Sequence, residues 1–120
     1  MRFETAINAV DSPVFLIDAQ RRIVFMNSGC ELLTGWELSE VIGHVCEFRS
    51  SGDAASIDAL TGTLCPPQET LDGEARNVAR YFAHRVNGQT ATRMVHFYPL
   101  GTEDRIDFVI GIVTAVDQAP

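Results

Sequence analysis

Three cysteines are the residues with the widest chemical range in this sequence. Cys30, Cys46 and Cys65 are widely spaced and form no C-x-x-C pair. An odd, scattered set argues against a disulfide framework and against a structural zinc site. We therefore expect reduced thiols and no bound metal. An alternative interpretation is that Cys46 and Cys65 form a redox pair. A reactive thiol needs a stabilised thiolate, and the negative charge of Glu47 beside Cys46 disfavours one.

The three histidines do not complete a catalytic site. His44, His84 and His96 fall on different predicted elements, so a Cys–His nucleophile would need a distant histidine to approach a thiol. The sequence has no glycine-rich phosphate loop, nucleophile elbow or metal-ligand spacing. We therefore expect a chain that is not an enzyme.

Size and charge limit the classes of partner. A chain of 120 residues, 46% of them hydrophobic, suits one core, so we expect one domain over residues 1–120, with an N-terminal cap (1–12) and a core (13–117). The net charge is −7 and every basic residue is an arginine, which disfavours binding to nucleic acid. No apolar run approaches the roughly 20 residues that span a bilayer, and no signal-peptide core is present. We expect a cytoplasmic location without membrane contact.

The first part of the chain predicts a hairpin followed by short helices. Apolar strands are predicted at Val14–Asp18 and Arg22–Met26. Ser28 and Glu31 fit a capping box at a helix start, and Gly35 is suited to end that helix. The other predicted helices are Phe3–Val10, Leu38–Ile42 (stopped by Gly43), Ser56–Leu64 and Gln68–Leu71.

The last third of the chain predicts three strands, at Ala79–Val86, Thr90–Leu100 and Ile106–Val116. Asn87-Gly88 favours a type I′ turn that pairs Val86 with Gln89. The order β-β-α-α-α-β-β-β predicts an α+β fold, with one antiparallel sheet and its helices gathered on one face.

Several residues then match a known pattern. Asp18 in the first turn, Asn27 after the second strand, Gly35-Trp36 and Gly43 lie where PAS domains favour these types. The element order, Asn87-Gly88, Pro99-Leu100 and Gly111 also fit, so the chain resembles a PAS domain over nearly its whole length. The resemblance implies a five-stranded sheet in the order 2-1-5-4-3, with helices that can enclose a ligand cavity.

A resemblance to flavin-binding relatives in this family is incomplete. Residues 43–50 match their light-oxygen-voltage motif at Gly43, Cys46 and Phe48. Glu47 replaces the arginine that meets the flavin phosphate, and Val113 replaces the flavin-sensing glutamine. Cys65-Pro66 resembles a short haem-site motif, but no histidine precedes it in the predicted helix. We therefore expect neither flavin nor haem.

The resemblance also suggests a ligand pocket. It places Arg93, Val95 and Phe97 on the cavity side, and strand alternation adds Phe82 and His84 to that face. An interior arginine needs an anion, which is either an internal acid such as Glu47 or Asp53 or a small organic acid ligand. The candidate ligand-binding residues are Phe25, Cys46, Phe82, His84, Arg93, Val95, Phe97 and Val113.

The last strand predicts a pairing surface. Val109, Gly111 and Val113 alternate with larger apolar residues that should face away from the cavity and form a contact patch. We expect a homodimer through a face made by Ile7, Val10, Ile106, Phe108, Ile110 and Ile112. An alternative is that other segments cover this face.

These observations predict a sensory and dimerisation module of a bacterial-style signalling protein. In the family such domains accompany histidine kinases, transcription activators and cyclic-dinucleotide enzymes, and the resemblance implies an effector domain as a partner. The alternative is a protein-interaction domain with no ligand. A third class, a haem, flavin or thiol redox sensor, has less support from the residues.

Overall fold

The fold is a twisted antiparallel sheet with short helices packed on one face. The computed structural model describes residues 12–46, 56–102 and 104–115. The predicted helix Phe3–Val10 lies outside them. The described elements are β1 (Val14–Asp18), β2 (Ile23–Met26), α1 (Ser28–Thr34), α2 (Leu38–Val41), α3 (Ile57–Leu64), α4 (Gln68–Leu71), β3 (Arg76–Ala83), β4 (Thr90–Gly101) and β5 (Ile106–Ala115).

The strands are ordered β2-β1-β5-β4-β3, and every pairing between them is antiparallel. This confirms the predicted α+β class and the strand order 2-1-5-4-3. The described helices are all of eight residues or fewer. Within the described ranges, no helix has the length and apolar character needed to cross a membrane.

Alternation along the strands divides the sheet into two unlike faces. The inner face carries buried residues that pack against the helices, among them Phe15, Val95, Phe97, Val109 and Val113. Val41 of α2 and Leu60 and Leu64 of α3 complete this core. The outer face carries the residues between them: Leu16, Tyr98, Leu100, Phe108, Ile110 and Ile112.

Helix α1 is capped differently from the prediction. Asn27, not Ser28, is the N-cap, because its Oδ1 accepts a hydrogen bond from the Cys30 N–H at 3.0 Å. Glu31 Oε2 accepts a hydrogen bond from the Leu38 N–H at 2.8 Å and so joins α1 to α2. The capping exchange occurs at α2, where the Glu37 N–H donates to Glu40.

The β3–β4 connection also differs from the prediction. Ala83 and Thr90 are the last ladder pair, and the His84 N–H still donates to the Gln89 carbonyl at 2.8 Å, so the turn spans residues 85–88 and is longer than a two-residue turn. Its backbone leaves the ladder because the Arg85 N–H donates to the Thr34 carbonyl at the end of α1. The register is shifted by two residues from the predicted one. A shift of two keeps each side chain on its predicted face.

Gly35 is the position where α1 and this connection meet. Its φ of +76° is left-handed, as predicted for a helix-ending glycine. The His84 ring lies over it, so that a Cβ on residue 35 would be 2.5 Å from His84 Cε1. The site therefore excludes a side chain for two reasons, backbone conformation and contact.

Replacing Gly35 with alanine tests this contact. We expect Gly35→Ala to lower the free energy of unfolding by about 2–4 kcal/mol, combining left-handed strain with overpacking. Gly43 is a matched control, since its φ is +88° but nothing lies within 4 Å of an added Cβ. Gly43→Ala should cost only about 1 kcal/mol. Equal losses in urea denaturation for the two variants would contradict the contact.

Candidate functional site

The predicted pocket residues are divided between several environments. Phe82, Val95, Phe97 and Val113 are buried on the inner face, as alternation predicted, and Cys46 is buried beside them in the same core cluster. These five side chains belong to one packed cluster with α3. That these five residues bind a ligand remains a prediction.

Phe25 lies elsewhere. It is paired with Leu16, which is paired on its other side with Ile110 of the outer face. A β-bulge between Leu16 and Ile17 explains this, because the extra residue reverses the alternation and turns Ile23 towards the core instead. Phe25 is buried but lies outside the core cluster, so the structure does not bring it together with Phe82 and Phe97.

His84 lies at the edge of this region. Its ring covers Gly35, and its Nδ1 accepts a hydrogen bond from the Val86 N–H at 3.2 Å. Next to it, Arg85 stacks on the Trp36 ring at 4.2 Å and pairs with Glu40 at 2.8 Å. The hydrogen bond from the Glu37 backbone is the main cause that holds the pKa of Glu40 below its usual range, and the ion pair with Arg85 adds to it. These contacts fix the β3–β4 connection on the α1–α2 corner.

Of the two inner-face arginines on β3 and β4, Arg80 contacts the core, whereas the hydrogen bond of Arg93 is to its own strand. Arg80 Nη2 donates to the Cys65 carbonyl at 2.9 Å, and its guanidinium carbon lies 5.7 Å from the centre of the Phe97 ring. Desolvation by burial lowers the pKa of Arg80. Arg93 is half-buried, and its Nη1 donates to the carbonyl of neighbouring Thr92. The two arginines are directly opposite one another in the β3–β4 register.

Sequence reasoning placed Arg80 on the inner face but did not identify it as a site residue. Arg80 differs from Arg93 in its hydrogen-bond acceptor, which is the Cys65 carbonyl. Cys65 follows α3 and comes close to Arg80 only through tertiary folding. Like charges directly opposite on a sheet destabilise one another unless an anion joins them. Arg80 and Arg93 are thus two like charges directly opposite one another on the inner face.

Aromatic rings fill the middle of the inner face. Phe15 and Phe97 meet edge to face, with ring centres 6.0 Å apart. The Phe15 ring occupies the space beside Gly111, so a Cβ at residue 111 would overlap it. Val113, in the place of a flavin-sensing glutamine, has no hydrogen-bonding group. These residues do not suit a flavin ring.

An open depression lies at another part of the surface. It has a volume of about 570 Å³ and is lined by Asp18, Ala19, Gln20, Arg22, Arg105, Ile106, Asp107 and Phe108. Its charges neutralise one another, since Arg22 pairs with Asp18 at 2.9 Å and Arg105 with Asp107 at 2.7 Å. None of the predicted ligand-binding residues lines it.

The described thiols and histidines form no metal centre. Over residues 12–46, 56–102 and 104–115, no group of three or more histidine, cysteine or acidic side chains is placed to hold a metal ion. Cys30, Cys46 and Cys65 are free and buried. Burial, and then the charge of Glu31, raises the pKa of Cys30 to about 12.

The predicted dimer face is partly present in the described chain. Ile110 and Ile112 are half-buried on the outer face, and Phe108 is 39% exposed there. Ile106 differs, because it lies beyond a second bulge, between Leu100 and Gly101, and packs against the core. Ile7 and Val10 lie outside the described residues. Tyr98 and Leu100, which the prediction did not include, extend the patch and are 41% and 40% exposed.

Comparisons with known proteins agree with this architecture. Residues 1–73 match a family model described as "PAS domain". A comparison with curated proteins finds no match. The PAS domain of an HTR-like protein from Haloarcula marismortui is similar in structure, with a TM-score of 0.63 and 22% identity, over 96% of this chain and 95% of that one.

Two further solved structures show the same fold. A domain of a sensory box sensor histidine kinase/response regulator from Geobacter sulfurreducens aligns with a TM-score of 0.66 and 18% identity, over 93% of this chain and 90% of that one. The Rhodobacter sphaeroides LOV protein aligns with a TM-score of 0.68 and 17% identity, over 96% of this chain and 66% of that one.

Proposed function

The chain belongs to the PAS domain family, and from this premise we propose that it is a cytoplasmic signal-sensing and dimerisation module. PAS domains are generally sensory and non-catalytic. In the proposed mechanism, pocket occupancy or dimer packing changes the sheet, and β5 transmits the change to an effector domain of the signalling protein. The observation that carries the proposal is the difference between the two faces of the sheet.

The outer face supports pairing. Phe108, Tyr98 and Leu100 are neighbours across β4 and β5, and each is about two-fifths exposed. Ile110 and Ile112 continue this apolar strip along β5. Contiguous apolar surface of this kind is typical of a protein contact, since water contact with it is unfavourable. A second copy of the chain would bury the strip against its own.

A charge at the centre of this strip should separate the dimer. We expect Phe108→Glu to weaken self-association by about 2 kcal/mol or more, roughly thirtyfold in Kd, because an anchor is lost and a carboxylate is buried. Sedimentation velocity measures the change. Val86→Glu is the matched control, since Val86 is 75% exposed in the β3–β4 connection. A wild-type chain that is monomeric at high micromolar concentration would contradict the proposed dimer.

The inner face supports a small organic acid as the signal. Arg80 and Arg93 are opposite one another at the margin of an apolar core, and a carboxylate between them would offset their mutual repulsion. The remaining contacts of such a ligand would be apolar. The sequence predicted an anion site at Arg93 and His84. The proposal keeps Arg93 but replaces His84 with Arg80.

Thermal-shift screening of organic acids tests the ligand. We expect a stabilising acid to raise the Tm, since a ligand that binds only the folded state adds about 2.7 kcal/mol at a concentration 100 times its Kd. Arg93→Gln should remove the shift. Arg105→Gln should retain it, because Arg105 is paired with Asp107 away from the site. A shift unchanged in Arg93→Gln would place the acid elsewhere.

A protein-interaction domain without a ligand is the second candidate function. The rings of Phe15, Phe82 and Phe97 are fully buried in the core, and this favours an interior filled by the chain's own side chains. In that case no organic acid stabilises the fold, while Phe108→Glu still disrupts pairing. The two experiments therefore separate the two functions.

A cofactor-bearing light or haem sensor would be detected by its colour. With Val113 on the inner face and Phe15 beside Gly111, we expect the purified protein to show neither flavin nor haem absorption above the aromatic band. Absorption spectra recorded before and after incubation with free flavin mononucleotide or haemin measure this. A stoichiometric visible band that elutes with the protein would contradict the expectation.

A further inference from the structure

Arg21 has an unusual backbone conformation for its residue type. It lies at the end of the tight turn between β1 and β2 and has a φ of +66°. Within the ranges that the structure describes, it is the one non-glycine residue with a positive φ. The turn is closed by the Arg21 N–H donating to the Asp18 carbonyl at 2.9 Å and by the Asp18 N–H donating to Arg22. Glycine suits the left-handed position of such hairpins best, because a Cβ there meets the neighbouring carbonyl. A side chain kept at this position points to a role for that side chain.

The Arg21 side chain ends at a cysteine. Its Nη1 donates to Cys65 Sγ at 3.3 Å, and its Nη2 donates to Gln68 Oε1 at 2.7 Å. The bond to Gln68 is solvent-exposed, whereas the bond to Cys65 is partly buried. The guanidinium therefore lies between Cys65 and the surface. A cation beside a sulfur is one of the surroundings found at reactive cysteines.

The backbone of Arg21 holds a second cysteine beside the first. Its carbonyl accepts a hydrogen bond from the Cys46 N–H at 2.6 Å. Cys65 Sγ lies 3.7 Å from the Cys46 carbonyl oxygen, within the same buried cluster. Burial, and then the nearby Cys65, raises the pKa of Cys46. Arg21 thus contacts both cysteines, and their surroundings differ. The Cys65 sulfur contacts a guanidinium, whereas the raised pKa of Cys46 keeps its thiol protonated.

We propose that Cys65 and Cys46 form a peroxide-responsive thiol pair, with Arg21 as its positioning residue. The Cys65 sulfur attacks one oxygen of a hydroperoxide, the O–O bond breaks, and Cys65 becomes a sulfenic acid while water or an alcohol leaves. The Cys46 thiol then attacks that sulfur, its proton combines with the departing hydroxide to give water, and a Cys46–Cys65 disulfide forms. Two thiols are oxidised and one peroxide is reduced. Glu47 is next to Cys46 in the chain, so its charge disfavours a thiolate on Cys46. Cys46 is the resolving thiol in this scheme, and the attacking thiol is Cys65.

The disulfide would change the part of the fold that covers the inner face. Cys65 directly follows α3, and Cys46 directly follows the bridge that Val45 makes with Arg22. Oxidation would therefore join the end of α3 to the segment after α2. This role does not depend on the proposed organic acid or on the dimer.

Peptide mapping under non-reducing conditions tests the pair in the full chain. After treatment with hydrogen peroxide at neutral pH, we expect a Cys46–Cys65 cross-link and a protein that loses two hydrogen atoms. Cys30 is the internal control, because it is as buried as Cys46 and Cys65 but no described arginine bonds to its sulfur, and it should stay reduced. Equal oxidation of Cys30 and Cys65, or oxidation of Cys65 with no cross-link, would overturn the proposal.

Variants separate the chemical role of Arg21 from a structural one. Arg21→Gly removes the left-handed strain, so it should fold at least as stably as the wild type in urea. Its cross-linking should nevertheless be about tenfold slower, since a charge-assisted hydrogen bond to the attacking sulfur is lost. Arg21→Lys should recover part of the rate. Cross-linking in Arg21→Gly at the wild-type rate would overturn the role of Arg21.

The order of the two thiols has its own test. Cys46→Ser should accumulate a sulfenic acid on Cys65 that a 1,3-dicarbonyl reagent traps, because no resolving thiol remains. Cys65→Ser should give no trapped product on Cys46. Trapping on Cys46 instead would reverse the assignment and overturn the proposed roles.

Discussion

The packing of Phe15 against Gly111 is the constraint on which the two-faced sheet depends. The absence of a side chain at Gly111 lets the Phe15 ring lie across the neighbouring strand, where it meets Phe97 edge to face. The residues of β1, and those of β4 and β5 up to the bulge at Leu100/Gly101, then have a fixed side, because alternation leaves no freedom once one residue is buried. The inner residues meet the helices, and the outer residues form the strip that we propose as a pairing surface.

The two ends of the sheet are less regular, and bulges explain where side chains depart from simple alternation. At Leu16/Ile17 the bulge places Ile23 in the core and Phe25 on the opposite face. At Leu100/Gly101 it brings Ile106 into contact with the core, away from Phe108 and the outer strip. A bulge adds one residue to one strand of a pair, so it changes faces without changing the hydrophobic composition of the segment. This is why strand alternation without bulges grouped Ile106 with Phe108, and why the sequence did not separate Phe25 from Phe82 and Phe97.

The arginines give the inner region its chemical character. Arg80 bonds to the Cys65 carbonyl, and Arg21 bonds to the Cys65 thiol, so two cations approach a single residue after α3. Desolvation makes each buried cation costly unless acceptors surround it. We propose that the same surroundings make this region responsive to anions and to oxidation of the thiol. The proposed ligand site and the proposed thiol pair thus lie near the same charges, although neither proposal depends on the other.

Local pattern was sufficient for much of the fold. Continuous apolar runs predicted β1 and most of β2, and alternation predicted the two faces of β4 and β5. Glycine at residue 35 predicted the end of α1. All of these features depend on neighbours in the chain. The faces survived even the wrong β3–β4 register, since a shift of two residues preserves alternation. Tertiary structure alone decided that Arg85 bonds to Thr34, that Arg80 bonds to the Cys65 carbonyl, and that Arg21 contacts both Cys46 and Cys65. Each of these contacts joins residues from separate elements, and no spacing along the chain encodes such a distance.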